Sequence, residues 1–414
     1  MPEPTSAPPP GRPAPRDAFA PARLGPLTLR NRIVKAATFE GRTPEALVSD
    51  ELVAFHREVA AGGVALTTVA YCAVAPEGRT ERRQIHMRPE ALPGLRRLAA
   101  AVHEEGAAAS AQIGHAGPVA DARSNRAEAV AASRRRSPLT GLAARAATEA
   151  DIARIVTGHA DAAEMAAEAG FDAVECHFGH GYFVSSFLSP KSNRRQDEWG
   201  GTLENRARLA RLVARTVRER VGRRIAVTAK LNMEDGVRGG FSVEESVRVA
   251  RMLQDDGHLD ALELTAGSSL ANPMYLFHGD APVREFATAF PQPLRLGIRV
   301  FGRLFLRTYP YEDCYLLPQA RRFRAALDMP LILLGGITGN AALGTAMDEG
   351  FEFAAMGRAL LMEPALVSRM RDAQLASHQA ESPGAEARSA CIHCNKCMPT
   401  IYSRSRCVVV DPIA

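Results

Sequence analysis

Long apolar runs are missing from this chain. No stretch approaches the roughly 20 apolar residues that a membrane-spanning helix needs. The opening residues, MPEPTSAPPPGRPAPRD, lack the apolar core of a secretory signal. Their proline density favours an extended, disordered tail over 1–18. The expectation is a cytoplasmic protein with no membrane partner. A strand-linked G-x-G-x-x-G is also missing, which counts against a doubly wound dinucleotide-binding sheet. The run Arg134-Arg135-Arg136 has no interleaved aromatics, so it reads as a solvated loop and no nucleic-acid partner is expected. The net charge of +5 is carried mostly by scattered arginines and suits small anionic ligands.

What is present is a repeat of short apolar strands and longer amphipathic stretches. Candidate strands lie at 32–38, 64–70, 107–114, 171–177, 224–232, 259–267, 330–336 and 351–357. Between them, segments such as 149–170 and 202–222 carry apolar residues at helical spacing, with Thr148 or Asp151 opening the first and Gly170 closing it. Eight strands, each followed by a helical segment and each apolar along its length, predict an α/β fold of the (β/α)8 TIM-barrel type over 19–375. A Cys-rich C-terminal extension follows at 376–414. The stretch at 268–314, after the sixth strand, is long for a barrel loop and predicts a lid or a substrate wall.

In such a barrel the chemistry sits at the C-terminal ends of the strands. Gly335, Gly336, Gly357 and Arg358 follow strands seven and eight, where backbone N–H groups and a guanidinium suit a phosphate. Lys230 ends the fifth strand and Gln112 the third. A cation and an amide there suit an electron-accepting ring, with a salt bridge and an ordinary buried amide as the plain alternatives. A ligand with phosphate at one end and such a ring at the other is answered by FMN. His177 and His180 end the fourth strand, beside Tyr182. They read as metal ligands, as locally satisfied core histidines, or as two donors aimed at one substrate oxygen. In the third case Tyr182 is placed to deliver a proton.

The motifs LTLRNRIVKAAT, AQIGHAG, AGFDAVECHFGHGYFVSSFLSPKSNRRQDEWGGTLENR, PLILLGGIT and FAAMGRAL together resemble the old yellow enzyme family of FMN-dependent NADH:flavin oxidoreductases. The likeness runs from Phe19 to Cys407, nearest to the 2,4-dienoyl-CoA reductase and trimethylamine dehydrogenase branch. It implies that His177 and His180 anchor the substrate and that Tyr182 donates the proton. It places Ala37, Thr38, Gln112 and Lys230 at the flavin ring, and Gly335, Gly336, Gly357 and Arg358 around the phosphate. Lys230 stands where many relatives carry arginine. Phe39 stands where the family usually has a threonine or cysteine that tunes the flavin, so either Thr38 takes that part or the tuning hydroxyl is absent.

Cys391, Cys394, Cys397 and Cys407 form two overlapping C-x-x-C units with a distant fourth thiol, a pattern that suits zinc, an iron–sulfur cluster or free thiols. The resemblance favours [4Fe–4S], although the last gap is shorter than in that branch. His393, among the cysteines, reads as a neighbour and not a ligand. The function implied is reduction of an electron-poor C=C bond by NAD(P)H through FMN, in ping-pong order on a small-molecule substrate. The rival enzyme reading is an FMN dehydrogenase or demethylase that works oxidatively, with an iron–sulfur relay and an external electron-transfer partner. A metal-stabilised binding protein on a retired barrel is the non-enzyme reading. The sequence leaves open a homo-oligomer, the substrate, and NADH against NADPH.

Overall fold

The computed structural model describes residues 16–136, 143–379 and 384–412. Eight parallel strands close a barrel in chain order: β1 (Ile33–Lys35), β2 (Leu66–Ala73), β3 (Ala108–Gly114), β4 (Ala173–Phe178), β5 (Ala226–Asn232), β6 (Ala261–Thr265), β7 (Leu331–Leu334) and β8 (Phe353–Met356). All eight predicted strands form. Most are shorter than predicted: β3, β4 and β5 start later, while β1, β6, β7 and β8 also stop earlier. Each strand interior is buried on both faces, as an enclosed parallel sheet requires.

Around the barrel lie α1 (Asp50–Ala61), α2 (Leu92–Glu104), α3 (Glu149–Glu168), α4 (Leu203–Val221) and α5 (Val243–Asp256). Thr148 is the residue that caps α3. Its hydroxyl accepts from Asp151 N at 3.2 Å, while Asp151 Oδ2 accepts from Thr148 N at 2.9 Å. The chain leaves α3 through Gly170, at φ +86°. α4 begins after Thr202 as predicted and ends at Gly222.

The long segment after β6 folds into α6 (Val283–Thr288) and α7 (Leu294–Phe305). Met274, Phe286, Ile298 and Leu306 make a small apolar cluster there, separate from the main core, and Met398 of the C-terminal extension completes it. α8 (Leu317–Arg324), α9 (Asn340–Asp348), α10 (Arg358–Met362) and α11 (Leu366–His378) follow.

The arginine run corrects one expectation. Arg135 and Arg136 form a short strand, pairing antiparallel with Ala144 and Ala143, so the backbone there is bonded and only the side chains stay partly in solvent. Most of the expected tail, and the segment 137–142, lie outside the described residues. Arg16, within the expected tail, donates to Glu352 Oε1 at 2.6 Å. Among the described residues no helix is long and apolar enough to cross a membrane.

Candidate active site

Inside the barrel the strand register stacks charge on charge. Gln112 of β3 lies beside Glu175 of β4, and Lys230 of β5 lies between His177 of β4 and Glu263 of β6. Gln112 Nε2 donates to Glu175 Oε1 at 2.6 Å. Lys230 Nζ stands 3.2 Å from that same oxygen and is hydrogen-bonded to Glu263 Oε1. All four side chains are buried. Burial alone would discharge the Lys230 ammonium, but Glu175 and Glu263 outweigh it and raise its pKa. Burial raises the pKa of the Glu263 carboxyl, with Lys230 pulling the other way. The plain reading of Lys230, a salt bridge, is therefore present, and Lys230 also faces the cavity above it.

The mouth of β4 is shaped by a tight turn. His180 has φ +60° and Gly181 φ +76°, the left-handed region that a histidine enters only when its surroundings hold it. Here Asn232 Oδ1 accepts from His180 N at 3.1 Å, and His180 Nε2 lies 2.9 Å from Thr265 Oγ1. The His177 and His180 rings are 5.0 Å apart, and Tyr182 meets His177 edge-on at 4.5 Å. Burial depresses both imidazoles, His177 well below its usual value and His180 to about 3, and Lys230 adds to each. Both rings are thus neutral near pH 7. A neutral imidazole offers one N–H, so the pair can present donors without bringing net charge. His177 Nδ1 is buried and has no hydrogen-bond partner among the described residues.

Above this layer opens a cavity of about 460 Å³. Ala37, Thr38, Gln112, Lys230, Gly335, Gly336, Gly357 and Arg358 all line it, together with His177, His180 and Tyr182. Gly335 and Gly336 have φ +99° and +78°, and a Cβ on Gly336 would stand 2.5 Å from Cys314 N. The chain thus admits no side chain at that turn, because the segment 312–316 packs directly against it. The cation at one end, the small residues at the other and the orphaned His177 nitrogen fit a bound FMN. Thr38 and Phe39 both reach the cavity, and the Thr38 hydroxyl points at Glu40 Oε1, 3.4 Å away.

Sequence reasoning missed the carboxylates that hold these groups. Glu175 and Glu263 sit within apolar strands, as does Lys35, whose Nζ donates to Glu40 Oε1 at 2.5 Å. A charge inside an otherwise apolar strand was the available signal. Tyr71 was missed as well. It lines the cavity and meets the Tyr182 ring edge-on at 5.5 Å.

The C-terminal extension forms another wall. Cys391, His393 and Cys397 reach the main cavity, and His393 stacks on Tyr311 at 3.3 Å. Ser405 N donates to Glu40 O at 2.9 Å, and its hydroxyl bonds Phe39 O, which pins the extension onto the loop after β1. Cys391, Cys394, Cys397 and Cys407 are free thiols that ring a second, small cavity. Among the described residues, no three metal-ligating side chains are gathered closely enough to hold a single ion. Arg358 borders both cavities and donates to His278 O at 3.0 Å and to Asn395 Oδ1.

Residues 17–269 match the NADH:flavin oxidoreductase / NADH oxidase family. The chain is 52% identical to the 4,4'-dithiodibutanoate disulfide reductase of Rhodococcus erythropolis, over 95% of each chain. It is 31% identical to a metal reductase of Desulforamulus reducens over 93% of its own length but only 52% of that protein's. The fold is like that of a 2-naphthoyl-CoA reductase solved with 2-naphthoyl-CoA, with TM-score 0.78 and 24% identity over 95% of this chain and 56% of that one.

Proposed function

The chain belongs to the NADH:flavin oxidoreductase / NADH oxidase family and is an oxidoreductase, and from that premise we propose that it reduces a small electron-poor alkene with NAD(P)H, using FMN held in the main cavity. This sets aside the non-enzyme reading. One observation carries the proposal: two neutral histidines and a tyrosine meet over the buried Lys230 in a single cavity. FMN supplies the transfer of hydride from NAD(P)H to the acceptor. Lys230 presents the positive charge that favours the reduced ring, and Gln112 offers its amide to the ring edge. His177 and His180 donate to the substrate carbonyl, drawing electrons from the conjugated bond. Tyr182 gives the proton to the carbon next to that carbonyl. The balance is alkene, NAD(P)H and one proton to alkane and NAD(P)+.

A second acceptor is favoured by a specific likeness. The relative that matches over 95% of both chains is a disulfide reductase. An organic disulfide, NAD(P)H and one proton would give two thiols and NAD(P)+. The same two histidines would then hold the substrate's polar end. The test is anaerobic reoxidation of the NAD(P)H-reduced protein by cyclohexenone and by 4,4'-dithiodibutanoate. Slow reoxidation by both would exclude both acceptors and return the oxidative reading.

The same proposal assigns Cys391, Cys394, Cys397 and Cys407 to a [4Fe–4S] cluster. The doubled C-x-x-C spacing and the four thiols lining one small cavity are what support it. The extension from about residue 376 is then a cluster-binding flap on a barrel spanning 19–375.

A further inference from the structure

α7 carries three parallel stripes, each at a spacing of four residues. Ile298, Gly302 and Leu306 are buried. A Cβ on Gly302 would stand 2.7 Å from Val283 Cγ1, so this stripe packs tightly on α6. The next stripe is Arg295, Arg299, Arg303 and Arg307, the last just past the helix end. No acidic residue occurs from 286 to 311, and among the described residues no ion pair engages any of these arginines. The third stripe, Leu296, Val300 and Leu304, is joined by Phe301. These four side chains are 59%, 63%, 77% and 66% exposed. The family match ends at residue 269, before this segment begins.

Arg295 turns back to the carbonyls of Phe290 and Thr288, which leaves Arg299, Arg303 and Arg307 exposed beside the apolar side chains. Together they need a partner that is apolar within and anionic at its rim. A second copy of this chain fits poorly, since face-to-face association would set one arginine row against another. An acidic peptide would answer the arginines but leave the four exposed apolar side chains in water. A bilayer yields to a ridge, and its anionic headgroups meet the arginines, whose stems reach up from the apolar side. We infer that α7 docks the protein on an anionic lipid surface, lying in the interface without crossing it. The inner side of this segment reaches the site: Phe305 of α7, Phe286 of α6 and Phe290 between them line the main cavity. A docked molecule therefore opens an apolar approach from the lipid toward its own site, and apolar substrates dissolved in the membrane gain a direct route.

Vesicle sedimentation with the full chain tests this. The protein should pellet with vesicles of phosphatidylcholine and phosphatidylglycerol in equal parts and stay in solution with phosphatidylcholine alone. High salt should release it. Arg303→Gln should lower the partition roughly five-fold, the effect of one basic residue near an anionic surface. Phe301→Ser and Leu304→Ser should lower it further. All three side chains are exposed, so the thermal midpoint should hold. Failure to pellet with the anionic vesicles overturns the inference, as does equal pelleting by wild type and all three variants. A wild type that is dimeric, indifferent to vesicles and made monomeric by Phe301→Ser would assign the ridge to a second copy instead.

Discussion

Glu175 holds Lys230 from below, with 3.2 Å between carboxylate oxygen and ammonium. The same oxygen accepts from Gln112. One buried carboxylate thus sets the position of both groups proposed to face the flavin ring.

Substitutions at the two ends of that contact should move the flavin midpoint potential in opposite directions. Lys230→Met removes the positive charge and should lower the potential. Glu175→Gln keeps the shape, removes the opposing negative charge and should raise it. The scale is roughly 30 mV for each 1.4 kcal/mol of differential stabilisation in a two-electron couple. Spectroelectrochemistry reads both. A Lys230→Met potential at or above wild type would remove the lysine from the ring.

His177→Ala and His180→Ala should leave FMN content unchanged and slow reoxidation by the alkene roughly 10²–10³-fold, the usual effect of losing one donor to a developing oxyanion. Stopped-flow absorbance of the reduced protein is the measurement. Wild-type reoxidation rates in both variants would end the assignment.

Stability should fall with acid through buried histidines that are neutral in the fold. Burial holds His159, whose Nδ1 lies 2.8 Å from Ile155 O, near 4 against its usual 6.5. A depressed folded value means the unfolded chain binds more protons between the two values. Its contribution is full above about pH 6.5 and is lost as pH falls toward about 4. Between about pH 7 and pH 5 the loss from His159 alone is roughly 2 kcal/mol. His180, held near 3, loses its contribution over a window reaching lower still. Urea midpoints across that range check this, and His159→Gln should flatten the slope.

Cys394 and Cys407 line only the smaller cavity, so Cys394 can be replaced without touching a wall of the main one. Anaerobically purified protein should carry about four irons per FMN. Cys394→Ser should bleach the broad absorbance beneath the flavin bands while FMN stays bound. Zinc in place of iron would keep a structural metal and discard the relay.

The barrel was legible because enclosed strands are apolar on both faces, so the strand count survived even where the ends were overcounted. His177, His180 and Tyr182 were legible from their place after such a strand. Glu175 and Glu263 were not, because a search for apolar runs passes over a single charge whose partner is distant in sequence. Lys230 needs Glu263, 33 residues away, before its burial makes sense. The helices of the long segment were hidden too: α6 and α7 bury their inner faces against each other and Met398 rather than on the barrel.

The hydrogen bonds from Ser405 to the loop after β1 have a consequence for the order of synthesis. The last barrel strand ends at Met356, so a nascent chain can bring all eight strands together before Ser405 has emerged. Until Ser405 leaves the ribosome, Phe39 and Glu40 lack the bonds that fix the extension, and Cys391 and Cys397 are not yet walls of the main cavity. A cofactor arriving early meets an open bowl, and the chamber is complete only once Ser405 has docked.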